Sequence, residues 1–310
     1  MQRRELRELP SLAVCMSAAR DLDALRAEVA LLRGGAARGG GRIAIATTHH
    51  VHADRRQKAG APSLRTACGL TKWCRNAALL AASAPLRGRA EVLVLTNDGA
   101  FVRRECASLS PGRSPPRIVA FDDALVKLVA AWGRSPHVSL AGARHLHADR
   151  FTAWTLYKWQ LVSLVEYQSI FFHDADVDLY HNAPPNYADA AARAWGQRYD
   201  AFVRSPALLA GTADGESVVN TGVLLLKPSA AAYDLGLRAL SSMRFNATHG
   251  FDLAGRPRAL LPAAAPKDFP WTRLVVQDTW DVVTGNGDQG LFAYVFAMKL
   301  RAYVKASYCW

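Results

Sequence analysis

The chain has 310 residues, of which 50% are hydrophobic and 21% charged. This composition excludes a disordered or fibrous chain, and the length suffices for one large α/β domain. The formal charge of +12 would attract anions, but the arginines form no continuous basic stripe, so no nucleic-acid partner is predicted. No apolar run is long enough to cross a bilayer, so we also expect no membrane span in this chain.

The first 41 residues are predicted to form a segment that precedes the main domain. Residues 21–33 place their apolar side chains on one face of a helix, and a run containing five glycines follows. This pattern indicates a short amphipathic helix and a flexible linker, which leaves a stalk, a targeting remnant and a docked helix as open alternatives. The main domain is predicted to cover residues 42–310.

From residue 42 onward, predicted strands alternate with predicted helices. Strands are expected at 42–48, 91–98, 117–121, 168–174 and 218–228. Helices are expected at 71–84, 151–167 and 287–300. Because this alternation is typical of βαβ units, the sequence predicts an α/β fold with a mainly parallel, twisted sheet flanked by helices.

Two sets of residues that can bind metals are interpreted as structural. His49, His50 and His52 follow the first strand without acids at a suitable spacing, so exposed or hydrogen-bonded histidines are favoured over a metal cluster. The cysteines show neither CxxC pairs nor histidine partners at zinc spacing, so structural thiols are predicted. The five are Cys15, Cys68, Cys74, Cys106 and Cys309, and their odd number leaves the redox compartment open.

One short modification motif occurs in the second half of the chain. The tripeptide Asn246-Ala247-Thr248 has the form of an N-glycosylation site. Because a three-residue pattern of this kind often arises by chance, the sequence alone leaves its use open.

Three aspartates, Asp174, Asp176 and Asp178, alternate directly behind the apolar strand at 168–174. Side chains two residues apart in a strand point the same way, and ligands of open α/β sheets bind beyond the carboxyl ends of the strands. Two neighbouring carboxylates that both stay ionised need a cation, or one of the two must hold a proton. Mg²⁺ or Mn²⁺, completed by phosphate oxygens of a nucleotide, meets that need. The simpler alternative is a loop of solvated acids that caps the next turn.

Three kinds of metal site begin with this acidic pattern. An EF-hand loop needs Gly at its sixth position and Glu at its twelfth, where this chain has Leu179 and Pro185, so that class is excluded. A haloacid-dehalogenase-type phosphatase has Thr or Val where Asp178 stands, and is kept as a minor alternative. The third is the DxD motif of nucleotide-sugar transferases, whose acids hold a metal that binds a diphosphate.

Three segments resemble, in order and spacing, the signatures of the family 8 glycosyltransferases, the glycogenin-like group. They read "KWQLVSLVEYQSIFFHDADVDLY", "NTGVLLLKPSAAAYDLGL" and "GDQGLFAYVF". With the opening strand "IAIATT", the resemblance covers roughly residues 42–300. It implies the GT-A fold, a single domain with a Rossmann-like nucleotide-binding half. It also implies retaining transfer of a hexose from a UDP-sugar to a hydroxyl of a glycan or protein acceptor.

The resemblance further implies roles for individual residues. The metal, Mn²⁺ or Mg²⁺, would be bound by Asp174 and Asp176. The catalytic residues would be Lys158, Asn220, Asp288 and Gln289. The sugar nucleotide would contact Thr47, Thr48, Lys158, Asp174, Ala175, Asp176, Asn220, Thr221, Gly222 and Gln289. Whether retention proceeds through a glycosyl-enzyme or by attack on the face from which UDP departs stays open.

Several of these residues also have simpler interpretations. Lys158 on a helix can be a solvated charge, and Asn220 can close a turn. Asp288 follows a glycine turn and can be the N-cap of the last helix. Trp271 and Trp280 can form a platform for an acceptor sugar, although core packing is favoured for both.

The family's later His-x-x-Gly-x-x-Lys-Pro-Trp segment has no counterpart before Trp310. Its histidine is a metal ligand and its lysine holds the diphosphate, so the sequence predicts a GT-A domain that lacks this end. A non-catalytic domain that binds sugar nucleotides or glycans is therefore the rival hypothesis. Because the family includes cytoplasmic and Golgi members, the compartment also stays open.

Overall fold

The computed structural model describes residues 41–50, 64–83, 86–107, 115–136, 150–175, 199–212, 219–254, 280 and 284–305. The predicted N-terminal helix at 21–33 and the glycine-rich run after it lie outside these residues. The domain boundary at residue 42 therefore stays a prediction.

Among the described residues, seven strands form one sheet, and two short strands form a separate hairpin. The strands are β1 Ile43–His49, β2 Ala90–Thr96, β3 Arg117–Ala120, β4 Ser169–His173, β5 Leu209–Gly211, β6 Val223–Leu226, β7 Phe245–Asn246, β8 Gly250–Phe251 and β9 Tyr303–Lys305. The order across the sheet is β3-β2-β1-β4-β6-β5-β9, and β7 pairs with β8. Strand β6 is antiparallel to its neighbours, β4 and β5, while the other described pairs in this sheet are parallel. The predicted mainly parallel sheet is confirmed.

Helices cover both faces of this sheet. They are α1 Leu64–Ala82, α2 Gly99–Ala107, α3 Asp123–Trp132, α4 Arg150–Thr155, α5 Ala230–Ser241 and α6 Asp288–Phe292. A 3-10 segment, Leu156–Ser163, continues α4, and a π-helical segment, Ala293–Lys299, continues α6. Of the helices described, none combines the length and apolar character needed to cross a membrane. The predicted α/β class is confirmed.

Alternate residues of the central strands pack into two separate hydrophobic cores, one on each face of the sheet. On β1, Ile43 and Ile45 pack into the core beneath α1 and α2. Their neighbours Ala44 and Ala46 pack into the core beneath α3, α4, α5 and α6. Because both faces are covered, the strands are continuous apolar runs and do not alternate with polar residues.

The helix predicted at 151–167 changes character after Thr155. Seven consecutive residues, from Leu156 to Val162, are buried, whereas a surface α-helix would turn a polar face to water. Gln160 shows how a polar residue is accommodated here, since its amide donates to Ala120 O at 2.9 Å and accepts from Asp122 N at 2.8 Å. The prediction of a single α-helix was therefore wrong for its second half.

A disulfide joins α1 to α2. Cys74 and Cys106, both buried, are bonded to each other, with their Cα atoms 5.5 Å apart. Sequence analysis predicted structural cysteines and left their pairing open, and for these two residues the structure shows a bonded pair. The cysteines are far apart along the chain, and only the packing of two helices on the same face of β1 and β2 brings them together.

Candidate active site

Strand direction explains why two distant signatures meet at one edge of the sheet. Strand β4 ends at His173, so Asp174 is the first residue beyond its carboxyl end. Because β6 runs antiparallel to β4, the residues just before β6 lie at the same edge. The backbone N–H of Asp174 donates to the carbonyl of Gly222 at 2.8 Å. The acidic motif and the Asn-Thr-Gly turn are thus in direct contact.

Lys158 is the cation at the centre of this edge. Its side chain is 10% exposed, and the ammonium donates to Asp174 Oδ2 at 2.9 Å. The same ammonium lies 3.1 Å from Asp288 Oδ2 and 3.4 Å from the carbonyl oxygen of Thr221. It also lies 5.3 Å from the ring centre of Phe172. Lys158 is therefore an internal counter-ion, and the interpretation of a solvated surface charge was wrong.

Asp288 completes a buried network around this ammonium. It is 1% exposed, and its Oδ2 accepts a hydrogen bond from Thr221 Oγ1 at 2.5 Å. Its backbone N–H donates to Thr155 Oγ1 at 3.3 Å. The residue that caps α6 is Gly287, without a side-chain hydrogen bond, so the N-cap interpretation of Asp288 was wrong. Lys158, Asp174, Thr221 and Asp288 are called the charged cluster below.

Burial and charge act in opposite directions on the pKa values of the charged cluster. Burial alone would lower the pKa of Lys158, but the carboxylates of Asp174 and Asp288 outweigh it and raise that pKa. Burial would likewise raise the pKa of Asp288, but the ammonium and the Thr221 hydroxyl lower it. Both residues are charged at neutral pH. Two carboxylates facing one ammonium leave an excess of negative charge, which favours a further cation.

Two buried oxygen atoms in this region have no donor among the described residues. They are Oδ1 of Asp288 and Oε1 of its neighbour Gln289. Buried acceptors in proteins are nearly always hydrogen-bonded, so a water molecule or a ligand that carries donors would satisfy these two oxygens. Sugar hydroxyls are donors of this kind.

The Asn-Thr-Gly turn positions its residues through local hydrogen bonds. Asn220 Oδ1 accepts from the Gly222 N–H at 2.7 Å, as expected from the turn-closing interpretation. A Cβ atom on Gly222 would lie 2.9 Å from Asn220 Oδ1 and 3.6 Å from Asp174 Oδ2. Glycine is thus needed for the close approach of this turn to the acidic motif. Ala175, directly after Asp174, is partly buried.

The two threonines predicted for the nucleotide occupy different environments at the end of β1. Thr47 is fully buried, and its hydroxyl has no partner among the described residues, whereas Thr48 is partly exposed. His49 is buried and stacks on Phe101 with ring centres 5.0 Å apart. His50 stacks on Tyr157 at 4.9 Å. The first two histidines of the "HHVH" segment therefore pack against aromatic rings.

A pocket of about 460 Å³ opens at the carboxyl ends of the first three strands. Its lining includes His50, Thr96, Asn97, Arg103, Phe121 and Tyr157. Phe121 stacks on Tyr157 at 4.4 Å, which extends the stack begun by His50. Sequence analysis missed this pocket, although several of its lining residues lie in or just beyond the final residues of predicted strands. Because Tyr157 precedes Lys158 in the chain, the pocket and the charged cluster share one segment.

The remaining predicted residues either lie outside the described ranges or pack in the core. Asp176 and Asp178, which follow Asp174 in the motif, and Trp271 lie outside the described residues. Trp280 is 3% exposed, with its ring over Gly250, as expected for core packing. Within the described ranges, no three His, Cys, Asp or Glu side chains gather closely enough to hold a metal ion. Asp174, 30% exposed, is the described residue of the predicted metal pair.

Comparisons with known proteins gave structural matches only. No family model matches the chain, and no curated protein does. A galactosyltransferase, LgtC, in complex with donor and acceptor sugar analogs matches 85% of this chain and 73% of its own, at 13% identity and a TM-score of 0.38. An active-site mutant of LgtC matches 85% and 72%, at 12% identity and 0.38. Mouse xyloside xylosyltransferase 1 matches 87% and 86%, at 11% identity and 0.40. At these TM-scores the likeness carries no functional argument.

Proposed function

We propose that this protein is a metal-dependent retaining glycosyltransferase, which transfers a hexose from a UDP-sugar to a hydroxyl of a glycan or protein acceptor. The charged cluster is the observation that carries this proposal. Its members come from three segments that are far apart in the chain, and these are the segments that resemble the three family signatures. The ammonium group of Lys158 contacts Asp174 of its own segment, Thr221 of the second and Asp288 of the third, so residues from all three segments surround one charge.

The pocket beside the charged cluster suits the nucleoside of the proposed donor. The stacked rings of His50, Tyr157 and Phe121 provide an apolar surface for a flat base. Thr96 and Asn97 add polar groups at the end of β2. Arg103, at the edge of this pocket, adds a positive charge that suits a phosphate. A base and a phosphate together are the parts of a nucleotide.

The carboxylates of the acidic motif suit a divalent cation that would bind the diphosphate of the donor. Asp174 is partly exposed and offers oxygen, the ligand atom that Mg²⁺ and Mn²⁺ prefer. The excess negative charge of the charged cluster favours a cation there as well. Asp174 and Asp176 would hold the ion. When bound, it would neutralise the negative charge that develops on the departing UDP.

The remaining residues of the site would position the reacting groups. Lys158 would supply a fixed positive charge beside the leaving diphosphate, in a region from which water is largely excluded. The unsatisfied oxygens of Asp288 and Gln289 would accept hydrogen bonds from hydroxyls of the donor sugar or of the acceptor. Thr221 and Thr155 would keep the Asp288 carboxylate in place through their hydrogen bonds to it and to its backbone.

Release of UDP from a panel of UDP-hexoses, with water or glycans as acceptors, tests this proposal. We expect Mn²⁺-dependent release that falls by about 10²-fold or more in Asp288→Asn, because a fixed charge at a reacting centre contributes on this scale. Asp234→Asn, on the exposed face of α5, is the matched control and should retain activity.

The same assay separates the alternatives. Binding of UDP without release from any sugar nucleotide would favour the non-catalytic domain. Hydrolysis of an aryl phosphate, with no action on UDP-sugars, would favour the phosphatase. Either result would overturn the proposed transferase.

A further inference from the structure

The β7–β8 hairpin presents a tripeptide that the proposed transferase does not use. Its turn contains Ala247, Thr248 and His249, all exposed. The base of the hairpin is held in the core, because Phe251 stacks on Trp132 with ring centres 5.3 Å apart. The hairpin therefore carries the tripeptide Asn246-Ala247-Thr248 on a fixed projection of the folded protein.

The amide of Asn246 is oriented by the turn that follows it. Its Oδ1 accepts hydrogen bonds from the backbone N–H groups of Thr248 at 3.0 Å and His249 at 2.7 Å. The carbonyl end of the amide is thus held against the backbone of the turn. The opposite end, Nδ2, has no hydrogen-bond partner among the described residues and is not buried. Nδ2 is the atom to which an N-linked glycan attaches.

An independent observation indicates the compartment in which such a modification takes place. The disulfide between Cys74 and Cys106 joins α1 to α2 at a site remote in sequence from the hairpin. Disulfides form and persist in oxidising compartments, such as the lumen of the secretory pathway, and are rare in the cytosol. N-linked glycans are added to surface loops of proteins in the same pathway.

We propose that Asn246 is an N-glycosylation site and that the chain matures in an oxidising lumen. The donor is an oligosaccharide on a lipid diphosphate, and a separate transferase of that lumen performs the step. A bond forms between Nδ2 and the anomeric carbon of the oligosaccharide, while the bond from that carbon to the diphosphate breaks. Nδ2 loses one proton, and the lipid diphosphate leaves with the bonding electrons. This proposal does not depend on the glycosyltransferase activity of the chain.

The glycan is tested on the full chain, secreted from eukaryotic cells behind a cleavable leader. We expect a glycosidase specific for N-glycans to lower the mass of the wild-type protein by one oligosaccharide and to convert Asn246 to Asp. The Asn246→Gln and Thr248→Ala proteins should carry no N-glycan, because the sequence contains no other Asn-X-Ser/Thr tripeptide. Their masses should therefore not fall on treatment with the glycosidase. Thr248→Ser keeps the motif and should stay glycosylated. A secreted wild-type protein without glycan, or a glycan that persists in Asn246→Gln, would overturn the site.

The disulfide is tested on the same secreted protein. We expect a thiol-alkylating reagent, applied under denaturing conditions, to modify Cys74 and Cys106 only after reduction. Alkylation of both without reductant would overturn the assignment to an oxidising lumen. Comparison with the Asn246→Gln protein shows whether loss of the glycan leaves the disulfide intact, as expected for two independent features.

Discussion

Lys158 stabilises the charged cluster through a single ammonium group placed between two carboxylates. Lys158→Met keeps the length of the side chain but removes the charge between Asp174 and Asp288. Removing one partner of a buried ion pair costs about 3–5 kcal/mol, and because Asp174 is partly exposed we expect the lower end of this range. Urea unfolding measures the loss. Lys127→Met, on the exposed face of α3, is the control and should change the free energy of unfolding by less than about 0.5 kcal/mol. Equal losses of stability in the two variants would contradict this role of Lys158.

Asp288 makes the stability of the folded protein depend on pH in a defined direction. Its pKa in the folded protein is below the ordinary value of 3.8, so its charge adds stability above that pH. This stability is lost as the pH falls through the lower, folded pKa. The free energy of unfolding of the wild type should therefore exceed that of Asp288→Asn at pH 7, and the difference should shrink as the pH drops below about 4. Urea titrations at several pH values measure this, and a difference that grows in acid would contradict it.

At the scale of residues, the sequence predicts those positions that belong to contiguous motifs. Asp174, Asn220 and Asp288 stand in recognisable segments, so they could be named before any contact was known. The pocket residues Asn97 and Tyr157 could not, because each is ordinary within its own segment. Their significance comes from the parallel packing of three strands, which places the ends of those strands side by side.

At the scale of elements, two helical glycines lie in contrasting environments. A Cβ atom on Gly236 of α5 would overlap the ring of Trp159, whereas a Cβ atom on Gly69 of α1 would lie 3.7 Å from its nearest neighbour, an ordinary contact. Gly236→Ala should therefore destabilise the protein by about 1–3 kcal/mol through overpacking. Gly69→Ala should be neutral or stabilising by up to about 1 kcal/mol, because alanine favours helix. Thermal unfolding of the pair checks this, and the same sign for both variants would contradict the packing of Trp159 on α5.

The length of a strand determines whether the sequence pattern is sufficient to predict it. The strands β1, β2 and β4 span five to seven residues, most of them buried, and were predicted within two residues of their ends. Strands β5 and β9 have three residues each, too few to establish a period, and both were missed. The 3-10 segment after Thr155 was missed for another reason, because its apolar pattern continues that of the preceding α-helix and does not distinguish the two geometries.

At the scale of the whole molecule, one antiparallel strand in an otherwise parallel sheet creates the site. If β6 ran parallel to β4, the Asn-Thr-Gly turn before it would lie at the opposite edge from Asp174. The reversal brings Thr221 and Gly222 to the edge where β4 ends and α6 begins. The sequence predicted the class of the fold from alternation, but the direction of β6 depends on pairing between strands distant in the chain, which no local pattern specifies.

The disulfide between α1 and α2 also acts at this scale. It closes a loop with a sequence separation of 32 residues, and such a cross-link stabilises a protein by about 2–4 kcal/mol, mainly through the unfolded chain. A reductant should lower the free energy of unfolding by this amount. The double variant Cys74→Ala with Cys106→Ala should not respond to reductant. An equal response in the wild type and the double variant would contradict the cross-link.

Calorimetric titration of UDP, with and without Mn²⁺, tests most directly whether the charged cluster and the neighbouring pocket form a nucleotide-sugar site. The wild type is predicted to bind UDP in the presence of Mn²⁺ and weakly in its absence. Asp174→Asn is predicted to lose the dependence on Mn²⁺. Asp200→Asn is predicted to keep it, because this exposed aspartate follows Tyr199, whose hydroxyl contacts Ser169 at the end of β4 opposite to Asp174. A wild-type protein that does not bind UDP in the presence of Mn²⁺, or Mn²⁺-dependent binding that survives in Asp174→Asn, would contradict the account.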